Sequence, residues 1–73
     1  MRQFVFKIKA YLIDSKYGKT LKTVKETYSV KAESIDKAFE EVEARLRVYE
    51  EYYRLRCYKA EIKLTKIIVY PRR

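Results

Sequence analysis

The sequence has no asparagine, histidine or tryptophan, and only one each of glycine, proline and cysteine. Each absence excludes something. Without histidine there is no side chain that ordinarily titrates near neutrality, and no imidazole for a metal or a nucleophile–base relay. With Cys57 as the single cysteine no disulfide can close within the chain, and a reducing interior is the expected setting. The lone glycine, Gly18, leaves no glycine-rich phosphate loop. No apolar run approaches the ~20 residues that span a bilayer, and the first residues lack the charged, apolar and small-residue order of a signal peptide. A cytoplasmic protein without membrane contact is expected. Thermolabile amides are nearly missing, Gln3 being the one glutamine, while Lys, Glu, Arg, Tyr and Ile abound, a balance that suits a protein working at high temperature.

What remains is a short, strongly basic chain. Its 73 residues suffice for one domain with one core. A domain of this size buries only about 60% of the surface its unfolded chain exposes, and its core rarely supplies more than roughly 3–5 kcal/mol. Some support from outside the core is therefore expected.

Periodicity divides the chain into four elements. In "RQFVFKIKAYLID", Phe4, Phe6, Ile8, Ala10 and Leu12 alternate with Gln3, Lys7, Lys9 and Tyr11, the pattern of a half-buried strand over about 2–14. Asp14, Ser15 and Gly18 supply the turn. A returning strand, about 20–32, offers Val24, Tyr28, Val30 and Ala32 to one face, with Thr23, Lys25, Thr27 and Lys31 opposite. Glu26 interrupts its inner row, which predicts a bulge or an edge position. From about 35 to 55 the period lengthens to 3.6: Ile35, Phe39, Val42, Leu46, Tyr49 and Tyr53 form the apolar stripe, Ser34 is placed to cap, and Asp36 sits in the first turn. Arg54 and Arg56 suit the helix's other end. Alternation resumes over about 58–70, with Tyr58, Ala60, Ile62 and Leu64 inward and Lys59, Glu61, Lys63 and Thr65 outward, before Pro71 ends it.

This order defines a single α+β domain, ββαβ. A right-handed helical crossover runs the third strand parallel to the second and beside the first, giving a three-stranded sheet of order 2-1-3 with one helix packed on one face. Nothing in the sequence covers the other face.

Charge divides unevenly over this plan. Residues 33–56 carry five basic and seven acidic side chains, a net of −2, while the rest of the chain carries thirteen and three, a net of +10. The bare sheet face is expected to gather Lys7, Lys9, Lys25, Lys31, Lys59 and Lys63, with Tyr11, Thr23, Thr27 and Thr65 between them. That is the composition of a surface for phosphate backbone: ammonium groups release condensed counterions and hydroxyls add hydrogen bonds, while little reads base sequence. Tyr11 is the one aromatic well placed there, too few for the stacking platforms that read single strands. Tyr17 in the turn and Tyr70 near the end could contribute to such contacts, and the short tail Arg72 and Arg73 would add to the basic field. Solvated lysines that keep a small sheet soluble are the alternative account of the same residues.

The stretch "RLRVYEEYYRLRCY", residues 45–58, holds four arginines and four tyrosines. Tyr49 and Tyr53 continue the core stripe, whereas Arg45, Tyr49, Tyr52 and Arg56 follow a neighbouring row of the kind enriched in protein interfaces. The end strand's "KIIVYP" is expected to show Ile67 and Val69 on the lysine-bearing face, offering a second seam. Association through either would provide the missing stability, and a homodimer is expected. A module that grips an acidic protein, as an inhibitor or accessory subunit, is the second functional reading.

Neither reading involves catalysis. Paired carboxylates such as Glu40/Glu41 and Glu50/Glu51 are adjacent on a helix and diverge by ~100°, and no nucleophile–base spacing occurs. No metal, cofactor or small-molecule substrate is expected. In element order the chain resembles the archaeal ribosomal LX proteins, through "FKIKAYLI", "ETYSVKAESIDKAFEEV" and "AEIKLTKI". That family carries a Gly-Ser-Lys-His-like loop after a shorter helix, where this chain has "YEEYYRLRCY" with no glycine. The resemblance implies ribosomal RNA as partner.

Overall fold

The computed structural model describes residues 2–14, 16 and 19–71. Strand β1 spans Arg2–Ile13, β2 Thr20–Ala32 and β3 Arg56–Val69, with helix α1 over Ile35–Tyr53 between the last two. β1 is central and antiparallel to both neighbours, so the sheet order is β2-β1-β3 as the crossover argument requires. Of the turn, Asp14 accepts the Lys16 N–H at 2.8 Å through Oδ1 and donates its own N–H to the Lys19 carbonyl. Ser15, Tyr17, Gly18, Arg72 and Arg73 lie outside the described residues.

The helix begins and ends for identifiable reasons. Ser34 keeps extended backbone (φ −142°, ψ 162°), and its Oγ accepts the Lys37 N–H at 3.3 Å, satisfying one orphan donor of the first turn. Asp36 sits in that turn. At the other end Arg54 turns left-handed (φ 54°), a conformation that costs a non-glycine residue about 1 kcal/mol or more. The Glu50 carbonyl takes the Arg54 and Leu55 N–H groups, and the Glu50 carboxylate takes the Cys57 N–H at 2.9 Å, fixing the helix end to the start of β3. The helix therefore stops at Tyr53 rather than near 55. Arg56 opens β3 instead of closing the helix, and the expected row Arg45–Tyr49–Tyr52–Arg56 is broken.

One layer of helix lies on one layer of sheet. The core comprises Phe4, Phe6, Ile8, Ala10 and Leu12 of β1, Val30 and Ala32 of β2, and Ala38, Val42 and Tyr49 of α1. The buried helix stripe is rotated from the expected one: Ala38 is fully buried, while Ile35 and Phe39 are 39% and 37% exposed. A methyl at position 38 lets the helix approach the sheet closely, and the bulkier Phe39 leans from the flank onto the Phe6 ring, centroids 5.3 Å apart. Nineteen residues of helix reach about 28 Å, whereas fourteen of strand reach about 46 Å. The molecule is accordingly drawn out, 54 × 17 × 16 Å, and the helix does not cover the sheet's full length.

β3 carries two bulges, and they overturn part of the simple alternation. Tyr11 pairs with Lys59 but Leu12 with Cys57, so Tyr58 is the extra residue and Cys57 takes the inward place expected of Tyr58. Tyr58 is half exposed, with its ring 6.1 Å from Tyr11. Val5 pairs with Lys66 but Phe6 with Leu64, leaving Thr65 extra, its Oγ1 donating to the Val5 carbonyl at 3.0 Å. Beyond this bulge the faces exchange: Ile67 pairs with Phe4 and Val69 with Arg2. Both apolar residues thus lie on the helix side, not on the lysine-bearing face, because a one-residue slip moves every later side chain across the sheet.

Glu26 is on an edge strand as expected, but the register runs through it unbroken, opposite Ile8. Its carboxylate is held by a fork from the helix, Arg45 Nε to Oε1 at 2.8 Å and Arg45 Nη2 to Oε2 at 3.0 Å. The guanidinium also stacks near the rings of Tyr28 and Tyr49, at 5.3 and 5.5 Å. The fork holds the Glu26 carboxyl below its ordinary range, and the Arg45 pKa rises in return. Tyr49, whose buried hydroxyl lacks a hydrogen bond of good geometry, is pushed up to about 12, first by burial and then by Glu26. Because the folded pKa of Glu26 is depressed, the pair's stabilisation is complete above the unfolded value near 4.5 and fades as pH falls through the lower folded value. With both side chains about a third exposed, Arg45→Met is expected to cost about 1–2 kcal/mol at pH 7, between the values for surface and buried pairs. Urea unfolding at pH 7 and pH 3 checks this: the penalty should shrink at pH 3, and an equal penalty at both would show that packing rather than charge is at stake.

Candidate nucleic-acid interface

Antiparallel pairing on both sides of β1 sets the side chains of the bare face in cross-strand rows. From one end they read Lys31–Gln3–Ile68, Ser29–Val5–Lys66, Thr27–Lys7–Lys63, Lys25–Lys9–Glu61 and Thr23–Tyr11–Lys59. Rows two residues apart are spaced by about 6.8 Å, so the five rows extend over about 27 Å. Among the described residues no second layer lies over them.

The middle of this face is hollowed. A shallow depression of about 410 Å³ is bordered by Lys7, Lys9, Lys25 and Lys63, with Thr27 and Glu61 between them. Ile8, Glu26 and Ile62, whose side chains turn to the helix, contribute its floor. Four of the six predicted lysines are thereby brought together. Lys59 lies one row on, and Lys31 stands apart at the far end, 5.7 Å from the Tyr70 ring. Gln3 bridges that end, donating to Ser29 Oγ and accepting from the Tyr70 hydroxyl.

Tyr11 is engaged at its ring and at its tip. The ammonium groups of Lys9 and Lys59 lie 5.3 and 5.5 Å from its ring centroid, and its hydroxyl donates to Glu61 Oε2 at 3.2 Å. The Tyr11 hydroxyl, followed by its charge when ionised and by Glu61, raises the Lys9 pKa, so this ammonium stays charged at every physiological pH. In contrast, no ion pair engages Lys7, Lys25 or Lys63 among the described residues.

Lys66 belongs to the face and was not predicted there, since simple alternation from Lys59 puts it inward. The signal was available in "KLTKIIV", where alternation breaks at the adjacent polar pair Thr65 and Lys66, followed by three apolar residues in a row. Of the residues assigned to an interface, Arg45 is committed to Glu26 on the β2 side, and Arg56 pairs with Ile13 at the strand's start. Tyr52 is 78% exposed and touches Tyr53 edge-on, centroids 4.8 Å apart. Ile67 and Val69 are on the helix side of β3, so the five do not form one patch.

Other chemistry on the molecule is sparse. Burial raises the Cys57 pKa, which disfavours the reactive thiolate, and its thiol lies 3.4 Å from the Lys59 carbonyl. Among the described residues no three Cys, Asp or Glu side chains gather where they could share a metal ion, and no helix is long and apolar enough to cross a membrane. No family model, no curated protein and no solved structure matches the chain.

Proposed function

We propose that this protein is a small, non-catalytic nucleic-acid-binding module that seats phosphate backbone on the bare face of its sheet. The observation carrying this reading is the group of Lys7, Lys25 and Lys63, without acidic partners, around one depression on a face no helix covers. A row spacing of about 6.8 Å corresponds to two base-pair steps of one strand, so five rows match about eight steps of duplex. Tyr11, with two ammonium groups close to its ring and its hydroxyl tied to Glu61, is already engaged by side chains of the face, which favours backbone contact over single-strand reading.

The test is the salt dependence of affinity for a duplex of mixed sequence. Neutralising four to six phosphates gives a slope of log K against log salt of about −3.6 to −5.4, or a loss of roughly 150- to 1,800-fold between 50 and 200 mM. Fluorescence anisotropy with labelled duplex DNA, duplex RNA and single strands measures it. Binding to polyglutamate as tight as to duplex would transfer the face to an acidic protein partner, and no binding to any nucleic acid at 50 mM salt would end the proposal.

A further inference from the structure

We propose that two copies of this chain join through their β3 edges in an antiparallel pair with the twofold axis at Ile62, making one six-stranded sheet. The inference is independent of the nucleic-acid reading and begins from the inequality of the two sheet edges. β2, on one side, is fastened to the helix by the Glu26–Arg45 fork, and lysines are borne by both edges alike, Lys22, Lys25 and Lys31 on β2 and Lys59, Lys63 and Lys66 on β3. β3, on the other, presents fourteen residues of strand with no proline among them, and with Ile67 and Val69 48% and 65% exposed on its helix side. Glu50 of α1 reaches Cys57, so the helix flank bearing Glu50 faces β3. Phe39 lies eleven residues earlier, three turns back on that flank, with Ile35 one turn further, and both are more than a third exposed. Edge and flank together form an apolar border along an unpaired strand, which natural proteins seldom leave to water.

Charge and the bulges select the register. Side chains must keep their faces, so the axis moves only in steps that preserve parity. With the axis at Glu61, that residue meets the partner's Glu61 and Lys59 meets the partner's Lys63; with the axis at Lys63, lysine meets lysine. With it at Ile62, Glu61 stands opposite the partner's Lys63 and Lys63 opposite the partner's Glu61, two complementary pairs, while Ala60 meets the partner's Leu64 on the apolar side. An axis at Ala60 also pairs opposite charges but runs into the Tyr58 bulge after one residue on each side. At Ile62 the run 60–64 is regular, and the bulges at Tyr58 and Thr65 stand four and three residues to either side. The bend of each strand then meets a bend in its partner, and beyond them Ile67 falls opposite the partner's Cys57 and Val69 opposite the partner's Leu55.

Sedimentation equilibrium in 0.3 M salt without nucleic acid tests this. The expected mass is twice the chain's 8.9 kDa at high micromolar concentration. Dimerisation should strengthen with salt, because two bodies of net charge +8 repel until screened, whereas nucleic-acid binding weakens with it. Glu61→Lys should weaken the dimer by roughly tenfold to a hundredfold, since two attractive pairs become repulsive. Lys63→Glu should do the same, and the double exchange Glu61→Lys with Lys63→Glu should restore association. Both side chains are exposed, so circular dichroism should show all variants folded. A monomer at millimolar concentration in 0.3 M salt overturns the proposal, as does a dimer indifferent to either single exchange or one that the double exchange fails to restore.

Discussion

Phe6→Ala is expected to unfold most of the protein at room temperature. Phe6 is fully buried at the centre of β1 and carries the Phe39 ring on one side, so its removal leaves a cavity that neither the sheet nor the single helix layer can close. Such truncations cost about 3–5 kcal/mol. A domain of this length has roughly 4–11 kcal/mol in total, and less if its one core is all that supports it. With a urea dependence near 1 kcal/mol per molar, the unfolding midpoint should fall by about 3 M or more. Phe39→Ala, removing a ring already over a third exposed, should move it much less. A shift below 1 M for Phe6→Ala would mean that the sheet is held by something other than the layer beneath it.

The triple change of Lys7, Lys9 and Lys63 to Glu is expected to reduce duplex affinity more than a hundredfold at 100 mM salt. If the depression seats phosphate as proposed, each substitution removes one contact and puts an anion in its place, so the salt slope should fall by about three contacts' worth, ~2.7. Each also shifts charge by two, taking the formal net from +8 to +2, which would weaken binding wherever the contacts lay. A matched control separates the two effects. Lys22, Lys37 and Arg47 are exposed on the helix side, and their exchange for Glu gives the same net charge with the bare face intact. Anisotropy titrations should show the control losing far less than the first triple. Equal losses would mean that the protein attracts polyanions as a diffuse cation and that the depression has no special part in binding.

The architecture was legible in the sequence because two periods alternate cleanly and the chain is short enough to permit few arrangements. Phe4 to Leu12 read as one face of a strand and prove to be five of the ten core residues. Ser34 read as the cap and accepts the expected bond. What the periods could not show were the places where counting fails. Nothing in the residue type of Tyr58 marks it as extra, and at Thr65 the one sign is the polar pair Thr65–Lys66 that breaks the alternation, yet these two bulges decide the faces of Cys57, Lys66, Ile67 and Val69. Nor does a helical period foretell that Arg54, rather than a glycine, takes the left-handed turn. Glu26 was recognised as an interruption, but its partner lies nineteen residues on in another element, and only folding brings Arg45 to it. For the lysine face the alternation was sufficient in the middle of the sheet and misleading beyond the second bulge.

The central place of β1 governs how the molecule is made. The first strand synthesised waits between two neighbours, one of which is the last element of the order, so Phe4 finds Ile67 across more than sixty intervening residues. Such high contact order slows folding, to milliseconds or longer in small domains. A nascent chain that has released only its hairpin and helix has one long flank of β1 still unzipped, and during translation that flank is the part most in need of a chaperone.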